Sequence, residues 1–220
     1  YTLRYKAAYD HLIVECTISN RGDDVFRPEY SRLFIGVDSE MKTYPDWDTK
    51  FFPTLLRCEK DFAWGYFMSP RQIIMGIGVE EPVASYTLNY VYEGSMEWKW
   101  GHQIKTGSLD LLHCLPLPER HPQNNLSLKP HETRKWTLHL GVVDRLAGVK
   151  EKLSQWIQAP MIECEKYTMA GHETSRLLIH SQSGLEKLIV KAPDGTQSVL
   201  PVDGVADNVY SALFSPSSQK

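Results

Sequence analysis

Residues 11–38, HLIVECTISNRGDDVFRPEYSRLFIGVD, form the stretch that decides the fold. In its first nine residues every second side chain is apolar and most of the others are polar, which is the two-residue period of a half-buried β-strand. Turn formers follow from Asn20 to Asp24, and a second apolar run occupies residues 33–37, beyond a Pro28 that interrupts the hydrogen-bond ladder. The pattern predicts a hairpin of two strands whose apolar face another sheet must cover.

The same pattern recurs through most of the chain. Short apolar or aromatic runs alternate with Gly, Pro, Asn and Ser turn formers about every 8–15 residues, a spacing typical of antiparallel sandwiches. We therefore expect residues 1–141 to form a large antiparallel β-sandwich. Further strands are predicted at residues 1–9, 55–58, 62–68, 73–79, 84–92, 109–117, 126–128 and 136–140.

The period changes at residues 142–158, where apolar side chains follow the three- and four-residue spacing of a helix with one buried stripe. The stripe comprises Leu146, Val149, Leu153 and either Trp156 or Ile157. Short runs with period two return in residues 159–220. The sequence therefore predicts an all-β fold in which a helix connects the large sandwich to a small β domain at residues 159–220.

The amino-acid composition and net charge argue against some classes of function. Hydrophobic residues make up 42% and charged residues 23% of the 220 residues, which is ordinary for a globular protein. The formal net charge of −3 provides no long-range attraction for nucleic acids or anionic membranes. No apolar run approaches the ~18 residues of a transmembrane helix. We therefore expect no nucleic-acid partner and no membrane span.

Metal and cofactor chemistry has no sequence signature here. The cysteines at positions 16, 58, 114 and 164 are far apart, whereas structural zinc sites use close pairs such as CxxC. Free, buried thiols are the expectation, because free cysteine behaves as a small hydrophobic residue. Paired disulfides are the alternative, which the spacing of the cysteines leaves open. No metal and no cofactor is predicted. The histidines at strand positions, His11, His113, His139 and His180, are assigned structural roles.

No catalytic motif is visible either. Nucleophile elbows, HExxH motifs and phosphate-binding glycine loops are absent from the sequence. Glycoside hydrolysis requires two carboxylates that flank the scissile bond. The nearest candidate pairs are Asp46 with Asp48 and Glu80 with Glu81. Since adjacent acids in loops are usually solvated turn residues, no catalytic residue is assigned.

Tryptophans are the candidate carbohydrate-binding residues, because sugar rings stack their C–H faces on exposed indoles. Trp98 and Trp100 share one face if residues 97–101 form a strand, and Trp47 lies in a loop. The alternative for all three is that they fill the core, as large aromatics commonly do in sandwiches. The tryptophans on apolar faces, Trp64, Trp136 and Trp156, are assigned to cores.

Several segments together resemble the N-terminal, non-catalytic region of bacterial six-hairpin glycosidase-like proteins. They are LIVECTISNRGDD (residues 12–24), FFPTLLRCEKDFAWGYFMSP (51–70), EEPVASYTLNY (80–90) and LSLKPHETRKWTLHLGVV (126–143). The resemblance implies that residues 1–141 form a galactose-mutarotase-like sandwich of the supersandwich type, and that residues 142–158 form a linker helix. It also implies a small immunoglobulin-like β-sandwich at residues 159–220, with an (α/α)6 catalytic barrel elsewhere in the polypeptide.

The resemblance also implies a function. The catalytic acids of that family lie on the helical barrel, so none of them can be assigned to this chain. The chain is then expected to be a non-catalytic accessory region of a glycoside hydrolase-like enzyme. Its implied partners are carbohydrate, through the parent enzyme, and the catalytic domain of the same polypeptide. The same resemblance favours a periplasmic or extracellular location.

Two alternatives stand beside this hypothesis. The chain could act as an autonomous carbohydrate-binding module that uses the exposed tryptophans. It could also be a mutarotase-like sugar epimerase, which requires one histidine and one carboxylate that converge in a concave face of the sandwich.

Overall fold

The protein is described by a computed structural model that covers residues 1–37, 51–92, 102–113 and 123–216. The described residues form an all-β antiparallel structure with a single short α-helix, which confirms the predicted fold class. They fall into two compact units, Tyr1–Val149 and Lys150–Lys220. Among these residues, the first unit contains sheets of six and three strands, and the second contains sheets of four and two strands.

The first unit is built from nine strands in two antiparallel sheets. The larger sheet has the order β1-β2-β9-β6-β5-β4 and the smaller has the order β3-β8-β7. The strands are β1 (Thr2–Ala7), β2 (His11–Ser19), β3 (Tyr30–Gly36), β4 (Phe52–Cys58), β5 (Ala63–Met68), β6 (Ile74–Val79), β7 (Ser85–Tyr92), β8 (His102–His113) and β9 (Thr133–Val143).

The predicted hairpin between the first two apolar runs is wrong. Strand β2 pairs with β1 and β9 in the larger sheet, whereas β3 pairs with β8 in the smaller one. The connection is tied elsewhere: the Asn20 side-chain amide donates to the carbonyls of Asp24 and Lys129 at 2.8 and 2.9 Å, and Phe26 forms a β-bridge with Leu128. The turn at Asn20 therefore begins a connection that crosses from the larger sheet to the smaller one.

The two sheets enclose one apolar core. Alternate side chains of β2 and β9 are buried in it, including Cys16 and Trp136, both fully inaccessible. In β8 a glycine faces the larger sheet, because a Cβ at Gly107 would lie 2.6 Å from the Phe67 ring. The core thus follows the two-residue period of the sequence, with Gly107 leaving room for an aromatic side chain.

Among the described residues, the second unit contains six short strands and the helix, whose first residue, Val149, belongs to the first unit. Helix α1 is Val149–Ile157, and the strands are β10 (Met161–Cys164), β11 (Ser175–His180), β12 (Leu188–Lys191), β13 (Gln197–Leu200), β14 (Asp203–Ala206) and β15 (Val209–Phe214). A four-stranded sheet has the order β10-β11-β15-β14, and β12 pairs with β13. The last two strands were not predicted from the sequence.

The helix is shorter than predicted. Val142 and Val143 complete β9, where they pair with Met75 and Ile74 of β6, and only a 3-10 turn separates that strand from α1. β-Branched residues favour a strand, and a neighbouring strand is available here to pair with them. Leu146 is consequently exposed, whereas the other predicted members of the buried stripe, Val149, Leu153 and Trp156, are buried.

Among the described residues, Cys16, Cys58 and Cys164 are free thiols, and Cys114 lies outside that part of the chain. Cys16 is buried, while the other two are half-buried. Burial raises the pKa of the Cys58 thiol to about 12, so this side chain stays protonated at neutral pH. Among the same residues, no helix has the length and apolar character needed to cross a bilayer.

Candidate functional site

The outer face of the smaller sheet carries two exposed aromatic rings with a cation between them. Tyr30, Arg32 and Phe34 alternate along β3 with the core-facing Leu33 and Ile35, so their side chains share the face that points away from the core. Four residues of extended chain place Tyr30 and Phe34 about 13 Å apart along the strand. We call Tyr30, Arg32 and Phe34 the β3 row.

A buried carboxylate holds the arginine of this row in place. Arg32 Nε donates to Asp110 Oδ1 at 2.5 Å, and Ser85 Oγ donates to Asp110 Oδ2 at 2.5 Å. The Asp110 side chain is 2% exposed and the Arg32 side chain 19%. The bond to Asp110 raises the pKa of the Arg32 guanidinium, which is therefore a permanent cation.

The guanidinium also stacks on the aromatic rings that flank it. Its central carbon lies 4.2 Å from the centroid of the Tyr30 ring and 5.9 Å from that of Phe34. Tyr30 is 48% exposed and Phe34 59%. Within the described residues, the two terminal nitrogens of Arg32 have no hydrogen-bond partner, since its one hydrogen bond uses Nε. The β3 row thus presents the terminal nitrogens of Arg32, which Asp110 holds in place, beside two partly exposed aromatic rings.

A second polar cluster lies on the larger sheet, where four titratable side chains form a continuous row. His11 Nδ1 lies 2.8 Å from Asp10 Oδ1, His11 Nε2 lies 2.9 Å from His139 Nδ1, and His139 Nε2 lies 2.8 Å from Glu80 Oε1. We call Asp10, His11, His139 and Glu80 the histidine row. The strand order β2-β9-β6 brings these side chains together from distant parts of the sequence.

Hydrogen bonding limits what the histidine row can do. Burial lowers the pKa of His139, against the opposing effect of Glu80, so this ring is neutral at pH 7. Both of its nitrogens are occupied, Nδ1 by His11 and Nε2 by Glu80. The ring therefore has no nitrogen left to accept a proton from a substrate.

The acids Glu80 and Glu81, which were considered as a catalytic pair and not assigned, bond different partners. Glu80 bonds His139, whereas Glu81 accepts from the backbone N–H of Thr137 at 2.6 Å and from its hydroxyl at 3.2 Å. Burial raises the pKa of Glu81, and the hydrogen bonds from Thr137 oppose that effect. The two carboxylates therefore bond different residues of β9, and they are not arranged as a pair on either side of a substrate site.

Five of the residues singled out in the sequence lie outside the described part of the chain: Trp47, Trp98, Trp100, Asp46 and Asp48. The three tryptophans therefore remain candidate carbohydrate-binding residues by prediction alone. Trp64, Trp136 and Trp156, which the sequence assigned to cores, are all buried. The four histidines lie in strands as expected, at His11 and His139 within the histidine row and at the last residues of β8 and β11.

Sequence reasoning did not identify the β3 row. The alternation of Tyr30, Arg32 and Phe34 with apolar residues was a usable signal, since it places the three on one face. What the sequence lacked was the partner, because Asp110 is 78 residues away from Arg32. The histidine row has the same origin, with His11 and His139 separated by 128 residues.

The second unit has a surface depression of about 400 Å³. Its lining residues are Glu163, Cys164, Glu165, Arg176 and Leu178. Carboxylates outnumber the single arginine, and no aromatic ring lines it, so this depression offers no sugar-stacking surface. Within the described residues, no group of three or more His, Cys, Asp and Glu side chains is arranged to hold a metal ion.

The architecture is similar to part of a solved polysaccharide lyase. A chain named Polysaccharide Lyase BACCELL_00875 matches 97% of this chain with a TM-score of 0.63 and 17% sequence identity. The match spans 29% of the length of that chain. No family model and no curated protein matches the sequence. At this identity the likeness establishes the fold, a β-sandwich architecture that also occurs in a polysaccharide lyase.

Proposed function

We propose that this chain is an accessory β-sandwich region of a carbohydrate-active enzyme, which supports or positions a polysaccharide for a catalytic domain elsewhere in the same polypeptide. One observation carries the proposal: nearly the whole chain matches less than a third of a polysaccharide lyase. A region of this size within a larger enzyme is expected to assist a reaction centre located in the remainder. The six-hairpin glycosidase-like origin, with its (α/α)6 barrel, is the finer form of the same proposal.

Chemistry within the described residues agrees with an accessory role. The acids nearest to a catalytic pair, Glu80 and Glu81, are engaged with β9, and both nitrogens of His139 are engaged within the histidine row. A sugar epimerase would need a histidine and a carboxylate that are accessible to the substrate. The geometry of the histidine row therefore favours the accessory role over the epimerase alternative.

Expression of the complete natural gene product beside the isolated residues 1–220 tests the proposal. Each protein is incubated with hyaluronan, polygalacturonate, alginate and xylan, and cleavage is followed by new reducing ends and by ultraviolet absorbance of unsaturated products. We expect the complete protein to cleave at least one of these polysaccharides and residues 1–220 to cleave none. Cleavage by residues 1–220 alone, or a natural protein with no further domain, contradicts the proposal.

A further inference from the structure

The β3 row has the features of a saccharide subsite. Phe34 offers a ring that is 59% exposed, and the neighbouring guanidinium of Arg32 keeps two terminal nitrogens without a partner among the described residues. A pyranose has an apolar C–H face and oxygen atoms around its edge, so it complements an aromatic ring beside hydrogen-bond donors. We propose that the β3 row binds one segment of a polysaccharide, an inference that rests on the proposed function.

Pre-organisation distinguishes Arg32 from an ordinary surface arginine. A free arginine loses side-chain entropy when it binds a ligand, whereas Arg32 is already held by Asp110 on one edge and by the Tyr30 ring on its face. Asp110 is itself fixed by the Ser85 hydroxyl. The terminal nitrogens therefore point in a set direction at little further entropic cost.

Hydrogen-bond chemistry defines the ligand. A guanidinium only donates, and its two terminal nitrogens match a pair of neighbouring acceptor oxygens in orientation and spacing. In a saccharide such a pair is either two neighbouring hydroxyls or the carboxylate of an acidic sugar. Asp110 neutralises the charge of Arg32, so neither kind of oxygen pair is selected by net charge alone. The bound segment stacks on Phe34, and its oxygen pair accepts hydrogen bonds from the terminal nitrogens of Arg32.

The polar residues behind the row support this arrangement. Asn89 Nδ2 donates to Ser108 Oγ at 3.2 Å, and the Ser108 hydroxyl lies 3.4 Å from the Thr87 carbonyl, so the outer face of β8 and β7 is internally hydrogen-bonded. Ser108 is fully buried. These hydrogen bonds link polar residues of β7 and β8 to one another, and the exposed rings of the β3 row remain as the surface for a ligand.

Titration of residues 1–220 with cellohexaose and with a hexamer of galacturonate tests the inference, with binding followed by NMR chemical shifts. We expect binding of at least one oligosaccharide, with tighter binding of cellohexaose identifying hydroxyl recognition and tighter binding of the galacturonate identifying carboxylate recognition. Phe34→Ala should weaken the affinity roughly 3- to 10-fold through lost stacking. Arg32→Lys keeps the charge and removes the planar fork, and should weaken it by about 10-fold or more.

Tyr5→Ala is the matched control, because Tyr5 is an aromatic residue that is 64% exposed on strand β1 of the other sheet. Its affinity should equal that of the wild type, and circular dichroism should show that all three variants remain folded. The inference is overturned if neither oligosaccharide binds, or if Phe34→Ala and Arg32→Lys bind as the wild type does. Polysaccharide cleavage by the complete protein, measured separately, then shows whether the proposed function survives that result.

Discussion

At the scale of single residues, the β3 row depends on one buried carboxylate. Asp110 accepts hydrogen bonds from Arg32 and Ser85, and its side chain is nearly inaccessible. Asn at this position keeps the shape and removes the charge. We expect Asp110→Asn to lower the free energy of unfolding by about 1.5–3 kcal/mol, the usual value for a lost charge-assisted hydrogen bond. Urea denaturation measures the change.

Glu173→Gln is the control for that substitution. It makes the same chemical change in the exposed ion pair with Lys166, whose nitrogen lies 2.7 Å from Glu173 Oε1. Solvent and salt screen such a pair, so its loss should leave stability nearly unchanged. Equal effects of the two substitutions would show that Asp110 is not an important anchor for Arg32.

Two carboxylates should respond to pH with opposite signs. Burial raises the pKa of Glu81 above 4.5, so its stabilising contribution is present below pH 4.5 and is lost as the pH rises through the folded value. Hydrogen bonds from Lys6 and Lys135 lower the pKa of Glu15 to about 2, so its contribution is present above pH 4.5 and is lost as the pH falls towards 2. The two windows lie on opposite sides of pH 4.5.

Substitution by Gln tests these opposite pH dependences, because it removes the titratable carboxyl group and keeps a side chain of similar size. Relative to the wild type, Glu81→Gln should gain stability as the pH rises from 4.5 to 7. Glu15→Gln should gain relative stability as the pH falls from 4.5 to 2.5. The measurement is a series of urea unfolding curves across this pH range. Parallel pH profiles for both variants and the wild type would rule out the assigned pKa directions.

Burial at single positions could be predicted from the sequence, and contacts between positions could not. The two-residue period was enough to place Cys16 inward, and the apolar surroundings of Trp136 were enough to assign it to the core. The contact of His11 with His139 depends on the pairing of β2 with β9. Pairing between distant strands leaves no local signal, so the histidine row could not be seen before the fold was known.

At the scale of elements, the pairing of β4 with β5 requires a glycine. A Cβ at Gly65 would lie 2.2 Å from the Leu55 carbonyl oxygen and 2.8 Å from Leu56 Cδ2. The nearest atom is backbone, so relief requires the two strands to move apart. We expect Gly65→Ala to destabilise the protein by about 1–3 kcal/mol, as overpacking does.

Gly204→Ala is the matched control, since Gly204 also lies in a strand, β14, and has no atom within 4 Å of its Cβ position. That variant should remain within about 0.5 kcal/mol of the wild type. Thermal or urea unfolding of both variants measures the two changes in stability. A Gly65→Ala protein as stable as Gly204→Ala would mean that β4 and β5 are less closely packed than the structure indicates.

Element types were predicted more reliably than element partners. Strands β4, β5 and β6 occur close to where apolar runs and turn formers placed them. The predicted hairpin failed because the connection after β2 crosses to the other sheet, and a turn signal at Asn20 does not specify how far the chain travels. The helix begins later in the sequence than predicted because Val142 and Val143 pair with residues of β6. In both cases tertiary pairing overrode a local pattern.

At the scale of the whole molecule, the two units have cores of different size. Among the described residues, a cluster of sixteen buried apolar residues lies between the two sheets of the first unit, whereas the cluster in the sheets of the second unit has four, Leu177, Ile179, Leu200 and Ala212. A small core opposes chain entropy less effectively. The first unit is therefore expected to open less often than the second, with its central strand β9 among the most protected segments.

Reciprocal core substitutions test whether each unit is stabilised by its own core. Leu138 in β9 and Ile179 in β11 are both 1% exposed, and truncation of either to Ala should cost about 2–5 kcal/mol locally. By hydrogen–deuterium exchange mass spectrometry, Leu138→Ala should accelerate exchange in β2 and β6 while β15 exchanges as in the wild type. Ile179→Ala should accelerate exchange in β10 and β15 and leave β2 unchanged. If either substitution accelerates exchange equally in both units, they unfold as one cooperative body, and the smaller unit owes its stability to more than its own core.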